Sequence, residues 1–215
     1  MSVDTLLQRA DIWRGGQTSS TAYAGVGTGF AELDEVFPGG GWPLGALTEI
    51  FTQHRGIGEL SLLMPALARL SQEEPRWIAW IAPPYIPYAP ALLAHGVDLS
   101  RVLWVHPRAA QDSLWALEQA LRSGTCSAVL AWPEGLDSRS LRRLQLAAEV
   151  GQSLGLLFCA EHMAEQSSPA ALRLQLSPAL GGVDVTVLKR RGGWATGPVH
   201  VPLAHAASNV VASVA

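Results

Sequence analysis

Short apolar runs alternate with amphipathic stretches along most of this chain. LTEIF (47–51), WIAWIA (77–82), VLWVH (102–106), SAVLAW (127–132) and LLFCA (156–160) are the predicted strands. They are continuous rather than alternating, as expected where helices cover both faces of a sheet. Between them, Leu60, Leu63, Leu67 and Leu70 recur at helical spacing. Pro65 interrupts that stripe and predicts a kink or a late start after Ser61. Leu114, Leu117 and Leu121 form a second stripe, stopped by Gly124. Leu141, Leu144 and Ala148 form a third, opened by Asp137 or Ser138. This alternation predicts an α/β fold: a mainly parallel sheet flanked by helices, with right-handed crossovers.

The pattern changes near the end of the chain. ALRLQL (171–176) and VDVTVLKRR (183–191) alternate apolar and polar residues across a Gly-Gly pair, and GPVHVPL (197–203) follows a further Gly-rich turn. This predicts a C-terminal antiparallel extension of the sheet. Upstream, TGFAELDEVF predicts a short helix with Thr28 as N-cap and Phe30, Leu33, Val36 and Phe37 on one side. PGGGWPLG (38–45) must turn tightly, because consecutive glycines hold neither helix nor strand. Residues 1–12 predict an amphipathic helix, and 14–28 are rich in Gly, Ser and Thr. The expected organisation is an N-terminal helix and flexible linker over 1–27, one α/β domain over 28–203 and a loose tail over 204–215.

Composition narrows the picture. With 215 residues, 48% apolar and 15% charged, the chain can fill a sizeable core. A net charge of −3 gives no global basic field to draw it to nucleic acid or an anionic membrane. Cys126 and Cys159 lie in or beside apolar runs without a C-x-x-C partner, so buried thiols and a reducing cytoplasm are expected. The start of the chain carries Asp4 and Asp11 and lacks the apolar core of a secretory signal. The stretch 77–94 is broken by four prolines and is not a clean membrane span.

FTQHRGIGEL (51–60) stands where a phosphate loop would, between a strand and an apolar helical pattern. A working loop, G-x-x-x-x-G-K-[ST], needs glycines that let backbone amides approach phosphate, a lysine, and a hydroxyl for Mg²⁺. With Gly58 as the last glycine, Glu59 takes the lysine position, Leu60 the hydroxyl position and Gln53 the first glycine position. The chain's single lysine, Lys189, lies on a late strand, and Arg55 precedes the loop glycines. One reading is a strand-to-helix turn through Gly56 and Gly58. Glu59 then sits in the first helical turn, favourable to the helix dipole by about 0.3–1 kcal/mol. The other is weak nucleotide or anion binding.

Other chemistry is sparse. The six histidines show no H-x-x-x-H or H-E-x-x-H spacing, and there is no G-x-S-x-G elbow. No catalytic residue, metal site or cofactor is therefore expected. KRRGGW (189–194), with Lys189, Arg190, Arg191 and Trp194, reads as a solvated hairpin end, or as a contact for DNA phosphate or an acidic partner. Arg139, Arg142 and Arg143 read as a solvated helix face. Trp77, Trp80, Trp104 and Trp132 fall in strands and are expected in the core. Trp13 and Trp42 lie outside regular elements and are expected to dock a partner. Leu6, Leu7, Ile12 and Trp13 form a candidate surface for packing in cis or on a second copy.

The order of these pieces resembles the RecA core. TGFAELDEVFPGGGWPLGALTEIF resembles that family's opening, and HGVDLSRVLWVHP, ALEQALRSG, SAVLAW and VTVLKRRGG continue the likeness over roughly 28–203. TGFAELD, GGGWPLGALTEI, GIGEL, WIAPPYIPYAPAL and VLKRRGG together resemble the ImuA family, RecA-like proteins encoded with bacterial mutagenesis genes. The middle of the chain, ELSLLMPALARLSQEEPRWIAWIAPP and ALRSGTCSAVLAW, also resembles the cell-division inhibitor SulA. The resemblance implies a RecA-like domain over 28–203. It places Trp132 where a Mg²⁺-organising Asp would end its strand and Pro84 where a water-activating carboxylate would stand. With Glu59 and Leu60, these losses imply a protein without ATPase activity. The ImuA resemblance implies a role in the DNA-damage response, supporting translesion synthesis through an ImuB-like polymerase-related protein, an error-prone DNA polymerase and RecA. The alternatives are a SulA-like inhibitor of FtsZ polymerisation and a divergent RecA-like ATPase.

Overall fold

The computed structural model describes residues 24–203, apart from Glu134. The expected N-terminal helix, with Leu6, Leu7, Ile12 and Trp13, and the tail over 204–215 lie outside the described residues. Two short strands, β1 (Gly25–Val26) and β2 (Trp42–Pro43), pair antiparallel around helix α1 (Ala31–Val36). The Gly-rich loop folds back tightly, since a Cβ on Gly41 would lie 2.3 Å from the Val26 carbonyl oxygen. Thr28 is not the cap of α1, which starts after Phe30 without a side-chain cap. Instead its hydroxyl accepts from the Phe30 amide at 3.0 Å, and its own amide donates to Asp34 at 2.8 Å.

The main elements then alternate as expected: β3 (Ala46–Thr52), α2 (Met64–Glu73), β4 (Trp77–Ile81), α3 (Ala89–Ala94), β5 (Val102–Val105), α4 (Ala110–Arg122), β6 (Cys126–Ala131), α5 (Ser138–Gly151) and β7 (Leu154–Ala160). The meander is β8 (Leu172–Ala179), β9 (Gly182–Arg190) and β10 (Thr196–Pro202). They form one sheet in the order β10-β9-β8-β3-β7-β6-β4-β5. Every pairing from β8 through β5 is parallel, and β9 and β10 extend the sheet antiparallel.

Core residues divide between the two faces. Ile50, Trp80, Leu130 and Leu156 face a cluster filled by Leu33 of α1, Leu67 and Leu70 of α2 and Leu92 of α3. Leu47, Ile81, Val129 and Leu157 face the other cluster, filled by Leu117 and Leu121 of α4 and Leu141 and Leu144 of α5. Alternate strand residues thus enter different cores, and the strands read as unbroken apolar runs. Pro65 explains the late start of α2: it occupies the first turn, where a missing amide costs no helical hydrogen bond. Asp137 caps α5 by accepting from the Ser140 amide at 2.8 Å, and hydrogen bonding from the Ser140 hydroxyl, then from that amide, holds its carboxyl below its ordinary value.

Two tryptophans depart from expectation. Trp42 is fully buried and packs edge-on against Phe37 at 5.0 Å, so it is unavailable to a partner. Its two-residue strand, pinned to β1, holds the indole inside the core. Trp77 opens β4 at the sheet rim and is 39% exposed rather than buried. No helix among the described residues is long and apolar enough to cross a membrane.

Candidate functional site

β3 is the fourth strand of the eight-stranded sheet, with parallel neighbours on both sides, and its exit loop opens at their carboxyl ends, where ligands of such sheets bind. Thr52 ends the strand, its hydroxyl donating to the His54 carbonyl at 2.6 Å. Gly56 and Gly58 then take φ of +82° and +114°, the left-handed region that glycine tolerates. The buried Glu59 carboxylate turns back onto the loop. Both of its oxygens accept from the Gly56 amide, at 2.8 and 3.0 Å. Glu59 therefore does not sit in the first turn of α2, which begins only at Met64. The late start imposed by Pro65 leaves Glu59 free to cap the loop instead of the helix.

An amide that would meet phosphate already holds a carboxylate, and an incoming polyphosphate would face its negative charge. Leu60 packs half-buried against the core and offers no metal ligand. Leu203, just after β10, closes the loop from above: a Cβ on Gly58 would lie 2.3 Å from its side chain.

Beside the loop, the ends of β6 and β7 carry aromatic side chains. Trp132 stacks on Phe158 at 4.6 Å with planes 7° apart, and on Trp80 at 5.7 Å. Trp80 stacks in turn on Trp104 at 5.5 Å. This row crosses the sheet from β7 to β5. Between row and loop lies a cleft of about 490 Å³, lined by Gln53, Arg55, Glu59, Trp132, Phe158 and His162 among others. Among the described residues, no three His, Cys, Asp or Glu are grouped to hold a metal ion.

Cys159 borders the same cleft. Burial, and then the nearby Glu49, push its thiol up to about 12; burial also raises Cys126. A thiol raised in the folded state favours folding below its ordinary value of 9.0, and that contribution is lost as pH rises toward about 12. Both thiols are expected to react with a disulfide reagent at neutral pH only on unfolding. Stability should fall from about pH 9 upward, by at most about 1.4 kcal/mol per pH unit from Cys159. Thiol titration and urea melts at stepped pH check both outcomes.

On the other side of β3 lies an ion pair that the sequence pattern did not announce. Glu49 and Arg173 are register partners on β3 and β8, both buried, and bond at 2.7 Å. Arg173 also donates to the carbonyls of Ala164 and Met163 and lies 4.9 Å over the Phe51 ring. A lone acid in LTEIF and a lone base in ALRLQL were the available signal.

The basic stretch is mostly turned inward. Lys189 donates to the Ser168 carbonyl at 2.6 Å, and burial, then the Arg173 charge, lower its pKa. Arg190 donates to the Trp194 and Val36 carbonyls at 3.0 and 2.6 Å. Arg191 and Trp194 are exposed, Trp194 at 88%. On α5, Arg143 is not merely solvated: it pairs with Glu118 of α4, which also binds Arg122 at 3.0 Å. Glu59 thus meets Trp132 at one cleft, whereas Lys189 ties β9 to the segment before β8, Arg190 ties it to the end of α1, and Trp42 fills the core.

Comparison with known proteins finds likeness over the middle of the chain. The family model described as cell division inhibitor SulA matches residues 45–155, from the start of β3 into β7. The chain is 42% identical over 98 residues to the cell division inhibitor SulA of Edwardsiella piscicida, covering 46% of this chain and 58% of that one. It is 30% identical over 133 residues to protein ImuA of Caulobacter vibrioides, covering 60% and 54%. The crystal structure of SulA from Pseudomonas aeruginosa covers 53% of this chain and 97% of that chain, with 30% identity and a TM-score of 0.45. The chain thus spans 58% and 54% of the length of these two curated relatives.

Proposed function

The chain belongs to the SulA family, and from that premise we propose that it is a non-catalytic protein of the DNA-damage response that works by binding other proteins. The observation that carries this reading is the Glu59 carboxylate on the Gly56 amide, beside an aromatic row in place of metal-binding carboxylates. A loop filled in this way opposes the charge of a nucleotide. We read the fold as a RecA-like core. The central place of the loop-bearing β3, with parallel neighbours on both sides and an antiparallel extension, supports it.

Within this family the preferred role is ImuA-like: support of translesion synthesis in the cytoplasm. The partners would be an ImuB-like polymerase-related protein, an error-prone DNA polymerase and RecA. One feature favours it. The β1–α1–β2 opening and the β8–β10 meander, which carry the GGGWPLG and VLKRRGG sequences, lie outside the 45–155 match to the SulA model. Residues 1–16 are the proposed element for self-association or partner packing.

The 42% identity to a named division inhibitor favours a second reading, inhibition of cell division through FtsZ. One experiment separates the two. The full chain is expressed in bacterial cells with and without DNA damage, cell length is scored, and bound proteins are recovered. The ImuA-like role predicts recovery of polymerase-type partners and normal cell length. Filamentation with recovery of FtsZ alone would replace it with the second reading.

A further inference from the structure

The reading that this chain acts by binding proteins raises the question of which surface it uses. Between β4 and α3 the chain runs Ala82-Pro83-Pro84-Tyr85-Ile86-Pro87-Tyr88 without helix or strand. Tyr85, Ile86 and Tyr88 are 74%, 83% and 72% exposed, and Leu93 on the following helix is 56% exposed. Single exposed apolar side chains, such as Leu180 on the β8–β9 turn, are ordinary. Three within four residues, with a fourth on the next helix, concentrate exposed apolar side chains in the way that marks an interface.

The segment is stiff. Pro83, Pro84, Pro87 and Pro90 fix their own φ, and Pro84 and Pro87 keep the residues before them, Pro83 and Ile86, out of helix. Tyr88 has φ −74° and ψ 103°. Ala82 sets the direction of departure from the sheet: it lies at φ +50°, with its amide bonded to the Val105 carbonyl at 2.9 Å. A segment held in this way loses little freedom on binding, and tyrosine adds a large rigid contact with a polar tip.

Charge defines the occupant. No charged residue lies between Trp77 and Ala94, although 15 basic and 18 acidic residues occupy the rest of the chain. A charge on the partner would be buried here without a counter-ion. A membrane is a poor match, since no lysine or arginine within the stretch meets anionic headgroups. Arg76, at the far end of β4, is bound to Glu74 and to the Gln152 carbonyl, and Arg108 lines the cleft that reaches Ala82 at the base of the segment rather than the tyrosines. A second copy is no better, because the described clefts are lined by Arg55 and Glu59 or by Arg108.

We infer that residues 83–88 form a preformed, tyrosine-bearing ridge that docks into an uncharged, apolar, aromatic-lined groove on a partner protein. The mode is that of an extended proline-rich segment in an aromatic groove. The inference rests on the protein-binding reading, and its test separates the two. Photoreactive benzoylphenylalanine replaces Tyr85, Tyr88 or, as control, Leu180 in the full chain, in DNA-damaged bacterial cells. Protein adducts at 85 and 88 are expected to exceed those at 180 by at least about tenfold, with the partner's crosslinked residues in an apolar groove. With the crosslinked protein purified as probe, Tyr85→Ser/Tyr88→Ser should weaken binding by at least about thirtyfold and leave Tm unchanged. Adducts only to lipid, to a second copy or to residues 1–23 would overturn the inference. Protein adducts at 180 but not at 85 or 88 would overturn it while leaving the protein-binding reading intact. Absence of protein adducts at all three positions would count against that reading itself.

Discussion

Truncating Arg173 to alanine is expected to destabilise the fold by about 3–5 kcal/mol, measured by urea denaturation. The variant leaves Glu49 buried on the central strand without its partner at 2.7 Å. It also strips two carbonyls, of Ala164 and Met163, of a charged donor and removes the cation over Phe51. An uncompensated charge in a low-dielectric core costs far more than the pair contributes. The double variant Glu49→Leu/Arg173→Met should therefore recover most of the loss, because it removes both charges and keeps the volume. If the double variant were as unstable as the single, the carbonyl contacts rather than the ion pair would be the dominant part.

Replacing Trp80 with alanine is the second large effect, also about 3–5 kcal/mol. Trp80 is almost fully buried and is the centre of the aromatic row, stacked on Trp104 on one side and Trp132 on the other. Its removal opens a cavity and costs two ring contacts, each about 0.5–1.5 kcal/mol beyond area burial. Near-UV circular dichroism should lose intensity beyond the share of one indole, since Trp104 loses its stacked indole and Trp132 keeps only Phe158. The effect bears on function as well. Trp132 stands where the RecA resemblance places a metal-organising carboxylate, and here it is a structural member of the row.

Local signals made much of this fold legible in the sequence. Continuous apolar runs marked the parallel strands, because each strand feeds two cores. Pro65 marked the late start of α2, and alternation marked the meander. The loop was recognised by position, and the losses at Glu59 and Leu60 were visible as residue types. What Glu59 does instead was not visible. Its contact with Gly56 depends on where α2 begins, and a proline six residues later determines that. Glu49 and Arg173 lie 124 residues apart, and only the register of β8 on β3 brings them together. Trp42 was misplaced for a related reason. A tryptophan among glycines reads as loop, but pairing of two two-residue strands buries it beneath α1. Tertiary pairing overrides local pattern at each of these positions.

The central claim is that the loop keeps the place of a phosphate site and has exchanged its ligand for a carboxylate of its own. Titration calorimetry of the full chain with ATP and Mg²⁺ tests it most directly. The expected result is no saturable heat at nucleotide concentrations up to about 1 mM. A Kd in the micromolar range would contradict the account.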